Sequence, residues 1–492
     1  MLLNSFVEPP STANNVTVER TFSIEFIHRK EDPTPSTCAL EFDLHPLLAR
    51  QRDMEKARAN VINSSALSAQ DRVVERGMAF FAELFRDFHP TNFAVRFWDG
   101  SCLEAEPGQF ARCTLVINHP GAMRRMFFPA NQAALGEAYA HGDVDIEGDV
   151  EALFPLAPFI MKSEFSWGRQ VRLGALLLGM PRTRKQRMGR TAVKLRGRQH
   201  SRERDRQAVT YHYNVSNDFF KLFLDERMVY SCAYFESADT ELDCAQEQKL
   251  DYTCRKLRLR PGERLLDIGC GWGALLMHAA QHYGVSGLGI TLSEPQAQLA
   301  NARIRSAGLE YLCRVEVLDY RDVQEHGTFD KLVSIGMVEH VGEETLPEYF
   351  AKAFKLLRAG GVFLNHGIAR ASLAQVHNRP TFIDRYVFPD GDIAPIESVL
   401  REAGLSGFEV RDVENLREHY VLTLRHWVRN LENHSGQARQ ATDESTYRTW
   451  RLYMAGSAHF FETGQLNVYQ SLLAKPTNGN SGLPLTRADW YR

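Results

Sequence analysis

Arg264-Leu-Leu-Asp-Ile-Gly-Cys-Gly-Trp-Gly273 decides the fold: an apolar run reaches an aspartate, glycines follow at alternate positions, and Ala274-Leu275-Leu276 opens a helix. Glycine lacks a Cβ and adopts positive φ freely, so Gly269 and Gly271 allow a tight turn with backbone close to a ligand. Asp267, at the strand end, is placed to orient that turn or a cationic amine. The spacing is GxGxG after Asp-Ile, whereas a dinucleotide-binding turn is typically GxGxxG. Outward from this stretch, further short apolar strands are expected at 287–291, 316–318, 331–335 and 362–366, separated by helix-length segments. Such alternation predicts an α/β fold with a doubly wound, mainly parallel sheet and ligands at the carboxyl ends of its strands.

Three more elements arrive in order. The second strand ends Gly289-Ile-Thr-Leu-Ser293 with Gln296 after it, the third leads into Asp319-Tyr-Arg-Asp322, and the fourth into Ser334-Ile-Gly-Met-Val-Glu-His-Val-Gly342. This series resembles the class I methyltransferases, which implies S-adenosylmethionine as cofactor. Thr291 and Gln296 stand where many such enzymes carry an acidic residue for the ribose hydroxyls. Tyr211-His-Tyr-Asn-Val-Ser-Asn-Asp-Phe-Phe220 and Tyr230-Ser-Cys-Ala-Tyr-Phe235 precede the glycine turn. Tyr447-Arg-Thr-Trp-Arg-Leu-Tyr-Met-Ala-Gly456 and Val468-Tyr-Gln470 come after it. Together they resemble the cyclopropane-fatty-acyl-phospholipid synthases and mycolic acid cyclopropane synthases, over roughly 207–475.

That resemblance implies roles for individual residues. Tyr230 and Ser231 would contact the amino-acid end of the cofactor, with Asp267, Gly269 and Gly271 along it. Thr291, Leu292 and Gln296 would address the ribose and adenosine, and Tyr320 and Arg321 would flank the adenine. The family holds a bicarbonate ion beside the methyl group, and its ligands map to Cys232, Glu339, His366 and Tyr420, with backbone near Ile335 and at Ile368. The chemistry fits an alkene: nothing needs deprotonating before attack on the methyl carbon, and the base acts afterwards, on the new methyl, to allow ring closure. One departure is Ser457, where many members carry a cysteine, so a covalent cysteine route from that position is closed.

The remaining chain bounds the reading. Residues 1–65 give no confident element and read as a poorly ordered extension, 66–165 as a small α+β domain, 166–206 as an apolar then arginine-rich linker, 207–477 as the catalytic domain and 478–492 as a tail. In the small domain a helix is expected over 71–87, strands at 93–98 and 112–116, a helix at 132–139, and a helix beginning near Asp149 as N-cap. A net charge of −3 and a pI near 6.6 argue against bulk attraction to nucleic acid. Scattered cysteines without a CxxC pair predict neither zinc nor disulfides and favour a cytoplasmic setting. The chain opens without a signal-like segment, and no apolar run reaches the ~20 residues that span a bilayer. An enzyme of this kind would be peripheral at the membrane, its arginine-rich linker and the apolar patch at 171–178 meeting anionic headgroups and an unsaturated phospholipid acyl chain as substrate. Oligomeric state is left open, a homodimer included.

The leading expectation is therefore cyclopropane-fatty-acyl-phospholipid synthesis. Its alternatives are transfer giving a methylene- or methyl-branched chain, N-methylation of a small amine, and a noncatalytic lipid-binding protein.

Overall fold

Two sheets organise the computed structural model, which describes residues 69–491 except 129, 163–164, 183–188, 214 and 373–380. The expected extension at 1–65 and the centre of the arginine run fall outside the described residues. The smaller sheet has the order β2-β1-β3-β4, from β1 (Phe93–Arg96), β2 (Cys102–Leu103), β3 (Cys113–Ile117) and β4 (Val144–Gly148). β1 and β3 are parallel, and β2 and β4 pair antiparallel on either side. Its core is dense in phenylalanine: Phe80, Phe81, Phe93, Phe97 and Phe127 are buried, with ring pairs such as Phe80 and Phe127 at 4.9 Å. Offset and edge-on ring packing adds to the area such side chains bury. Val144–Gly148 forms a strand between the expected helix at 132–139 and the one expected to begin near Asp149. Asp149 does cap the next element, a 3-10 turn over Val150–Leu153, accepting from Glu151 N at 2.9 Å.

The larger sheet carries seven strands in the order β10-β11-β9-β8-β5-β6-β7. These are β5 (Arg264–Ile268), β6 (Ser286–Thr291), β7 (Cys313–Val317), β8 (Phe329–Ile335), β9 (Leu357–Arg370), β10 (Glu409–Asn415) and β11 (Leu466–Ala474). β7, β6, β5, β8 and β9 pair parallel; β11 runs antiparallel between β9 and β10. The third strand lies slightly earlier than expected. β9 is much longer than the apolar run 362–366, because β11 pairs with it as far as Arg370. Helix starts obey local chemistry. Gly273 takes a left-handed N-cap (φ 77°) before Ala274–Tyr283, a proline sits in the first turn of Glu294–Ser306, and Asp443 caps Glu444–Glu462 by accepting from Thr446 N at 2.9 Å.

Residues 166–206 begin with the helix Trp167–Leu178, whose Leu173 and Leu177 pack into the phenylalanine-rich core. The helix Arg202–Tyr213 then leads into the catalytic layers. Helix Glu444–Glu462 joins the two sheets. Arg451 donates to the Tyr139 hydroxyl at 2.8 Å, to Ile146 O at 3.3 Å and to Glu432 Oε1 at 2.7 Å, and Arg448 reaches Asp145 at 2.9 Å. A buried guanidinium needs such partners, since an uncompensated buried charge costs several kcal/mol. The tail is docked too: Trp490 is buried, Asp489 pairs with Arg258 at 2.7 Å, and Arg487 pairs with Asp412 at 2.7 Å.

Candidate active site

The carboxyl ends of β5, β6 and β8 open into a cavity. Gly269, Gly271 and Gly273 all take positive φ (80°, 55° and 77°), and the amides of Gly269 and Cys270 both donate to Ile290 O, at 2.9 and 3.0 Å. A Cβ added at Gly271 would meet only open space, so any side chain there would project into the cavity, while one at Gly269 would crowd Met337 Cγ at 3.1 Å. All ten residues expected along the cofactor line this space, Tyr230, Ser231, Asp267, Gly269, Gly271, Thr291, Leu292, Gln296, Tyr320 and Arg321, and so does Ile335, expected beside the anion.

Polar contacts fix the rim. Thr291 Oγ1 bonds Gln296 Oε1 at 2.8 Å and accepts from Ser293 N at 3.2 Å. Arg321 is tied to Asp319 at 2.6 Å and to Asp205 at 2.9 Å, which holds Tyr320 and its own guanidinium at the mouth. At the floor, burial pushes the Asp267 carboxyl up to about 7 against the pull of the nearby ammonium of Lys249. Burial likewise brings Lys249 down to about 8, and its Nζ donates to Ser231 Oγ at 3.0 Å. Sequence reasoning passed over Lys249, because a lysine on a helix ordinarily faces solvent.

Behind the glycine turn lies a second, more apolar region. Glu339 is in the short helix Val338–Val341 after β8, and its Oε1 accepts from Ile368 N at 2.7 Å. Its Oε2 is buried with no protein partner among the described residues. Burial raises this carboxyl to about 7, so it holds a proton through the acid side of neutrality. Gly367 makes the approach feasible: a Cβ there would stand 2.2 Å from Val338 Cγ1. His366 sits on β9 level with Ile335, the last residue of β8, and burial drives its imidazole down to about 3, which keeps it neutral.

Cys232 is buried, donates to Leu416 O at 3.6 Å, and is pushed up by burial, so it is a thiol rather than a thiolate. Leu416 O also accepts from Tyr420 N at 3.1 Å, which joins Cys232 to the first turn of the helix Arg417–Asn433. Cys232, Ile368 and Tyr420 share one hydrophobic cluster, and Tyr420 lies within electrostatic reach of Cys232 and Glu339. Of the five expected catalytic positions, Glu339 is joined to Ile368, Cys232 to Tyr420 through Leu416 O, and His366 stands two residues from Ile368 on β9; none of the five lines the cavity.

The aromatic motifs divide by helical phase. Tyr213 lines the cavity, whereas Phe219 and Phe220 are core. On the C-terminal helix, Trp450 and Tyr453 pack in the cluster that holds Cys232, Ile368 and Tyr420, with Tyr453 interacting with Tyr230, Glu339 and Ser457. Arg448 and Arg451, from the same motif, serve the small sheet instead. Tyr453 was not singled out from sequence, although its i, i+4 spacing from Ser457 carried the signal. Tyr230 stacks on Trp427 (5.1 Å between centroids, 27°), so aromatic faces border the place where the two regions meet.

The family model described as mycolic acid cyclopropane synthetase matches residues 200–471, and a domain of unknown function matches 80–164. A curated "Probable fatty acid methyltransferase" from Pseudomonas putida is 39% identical over 405 residues, covering 81% of this chain and 96% of that protein. Cyclopropane mycolic acid synthase 1 from Mycobacterium tuberculosis is 38% identical, covering 53% of this chain and 94% of that protein. The crystal structure of the mycolic acid cyclopropane synthase CmaA1 with SAH and CTAB matches with a TM-score of 0.52 and 37% identity, over 55% of this chain and 97% of that one.

Proposed function

Because the chain belongs to the mycolic acid cyclopropane synthetase family of S-adenosylmethionine-dependent methyltransferases, we propose that it adds the donor's methyl carbon across the double bond of an unsaturated phospholipid acyl chain, forming a cyclopropane. The observation that carries the reading is Glu339: a buried carboxyl that holds its proton near neutrality, with one oxygen engaged by Ile368 and the other unpartnered, behind a pocket of the S-adenosylmethionine type.

When bound, the donor supplies an electrophilic methyl carbon, which the alkene's electron pair attacks as the carbon–sulfur bond breaks. Tyr213 and Tyr230 line the cavity, and their π faces would favour the positive charge left on the acyl chain. Loss of a proton from the transferred methyl then lets its electron pair close the ring. The residues present fit an anion at that point: a protonated Glu339 donates where a carboxylate would repel, and neutral His366 and the Tyr420 hydroxyl add donors. A bicarbonate ion held by these residues would supply a base for the departing proton. Desolvation strengthens each of these contacts.

Relatives named as fatty acid methyltransferases support a second reading, in which transfer leaves a methyl or methylene branch. Membrane docking is the accompanying proposal. Trp167, Val171 and Leu178 are exposed on one side of the helix Trp167–Leu178, and the arginine-rich stretch comes directly after it. No helix among the described residues is long and apolar enough to cross a membrane. Incubation with labelled donor and unsaturated phosphatidylglycerol vesicles tests the assignment: label in the acyl fraction as a cyclopropane supports it, and an unlabelled acyl fraction rejects it. Replacing the arginines of 181–206 with glutamine is expected to weaken vesicle binding most at low salt; indifference to salt removes the docking proposal.

A further inference from the structure

Three strands put Glu414, Gln470 and His366 in one rung of the large sheet. Gln470 on β11 is the register partner of Glu414 on β10 and of His366 on β9. The helix Leu242–Leu257 lies across this row and presents Lys256, which is 1% exposed. Lys256 Nζ pairs with Glu414 and donates to Gln470 Oε1 at 2.9 Å. Gln470 Nε2 in turn meets His366 Nδ1 at 3.2 Å.

Donor and acceptor chemistry leaves one arrangement for this chain. An ammonium has only protons to give; burial lowers the Lys256 pKa, but Glu414 paired to it and Asp412 at 3.7 Å favour the charged form, so the amide of Gln470 turns its oxygen to Lys256 and its NH2 to His366. The NH2 then donates, and Nδ1 of His366 accepts. A neutral ring that accepts at Nδ1 carries its proton on Nε2. Burial, with Lys249 and Lys256 both facing the ring, disfavours the imidazolium. We propose that Lys256 and Gln470 are positioning residues that lock His366 in the Nε2–H tautomer, so that the ring presents a donor to an anion in the reaction chamber. This rests on the anion-assisted reading of the reaction. The tail completes the device: the Lys256 ammonium lies 4.7 Å from the Tyr252 ring centroid and 5.3 Å from that of Trp490, which keep water from its far side.

The test uses the full chain labelled with 15N-histidine, free of lipid and bicarbonate, with a His366→Asn sample to assign the resonance. Two-bond 1H–15N spectra are expected to show Nε2 protonated and Nδ1 bare. Gln470→Glu gives Nδ1 an acceptor and is expected to move the proton there. Turnover should then fall on the order of 10- to 100-fold, with donor affinity by calorimetry within about twofold, which also reports that the variant folds. Lys256→Met removes the group that orients the amide and is expected to give a mixture of tautomers. An Nδ1–H ring in the unaltered protein overturns the proposal, as does an unchanged tautomer in both variants or full turnover in Gln470→Glu. If the tautomer behaves as stated while no lipid is labelled, the lock stands and the assigned reaction falls.

Discussion

Asp267 and Glu339 are both pushed up to about 7 by burial, yet the regions around them ask opposite things of that proton. Asp267 faces Lys249 at the floor of the donor pocket, where a cationic ligand favours its ionised form. Glu339 faces Tyr213, Tyr420 and Tyr453 in the chamber, where an anion favours its protonated form. One physical cause, desolvation, thus prepares one carboxyl to receive a cation and the other to hold an anion, and the neighbours decide which.

The largest expected effect breaks the donor side alone. Gly271→Val directs a branched side chain into the cavity and places it at positive φ, so donor binding by calorimetry should be lost. Glu339→Leu breaks the chamber alone: turnover should fall about 100-fold, while donor affinity stays within about twofold. Equal losses of affinity in the two variants would show that the regions are one site. Glu339→Gln keeps a hydrogen-bond donor and should be milder, on the order of tenfold.

The pH dependence sharpens the contrast. Donor affinity should improve as pH rises through about 7, where Asp267 ionises, whereas turnover at saturating donor should decline over the same range as Glu339 loses its proton. Asp267→Asn should flatten the first limb only, and Glu339→Gln the second only. Stability obeys the same linkage. The folded state keeps both protons above the unfolded values of 3.8 and 4.5, so these two groups stabilise it fully at low pH, and the contribution is lost as pH rises through about 7.

The smallest effect concerns the far end of the row that reaches His366. Removing residues 484–492 strips Trp490 from Lys256 and Asp489 from Arg258, and should lower the unfolding free energy by about 2 kcal/mol in a denaturant titration. An unchanged midpoint would mean that the tail does not cover the buried lysine.

What the sequence disclosed depended on whether an interaction is local. The turn after β5 is a short contiguous code of strand, aspartate and alternating glycines, so Asp267, Gly269 and Gly271 were legible from it, whereas Tyr230, Ser231, Thr291, Leu292, Gln296, Tyr320 and Arg321 were placed by likeness to a family. β10 and β11 were not read as strands. Glu409–Asn415 alternates weakly and leaves Val410 and Val413 exposed, and its pairing with β11 spans the whole C-terminal helical region. The extension of β9 to Arg370 escaped for the same reason, since its partner lies nearly a hundred residues away. Lys249 and Lys256, two helical turns apart on one helix, look like solvated charges until register brings Ser231, Glu414 and Gln470 beneath them. Cys232, Glu339, His366, Ile368 and Tyr420 were placed only by likeness to a family, because no spacing rule joins positions so far apart in the chain.

The most direct test tracks the hydrogens of the transferred carbon. With S-adenosylmethionine carrying a trideuterated methyl group and a monounsaturated phospholipid, mass spectrometry of the product should find two of the three deuterons in a cyclopropane ring, the third having gone to the base. A product that keeps all three would mean that the proton is never removed there, and would contradict the role given to the chamber around Glu339.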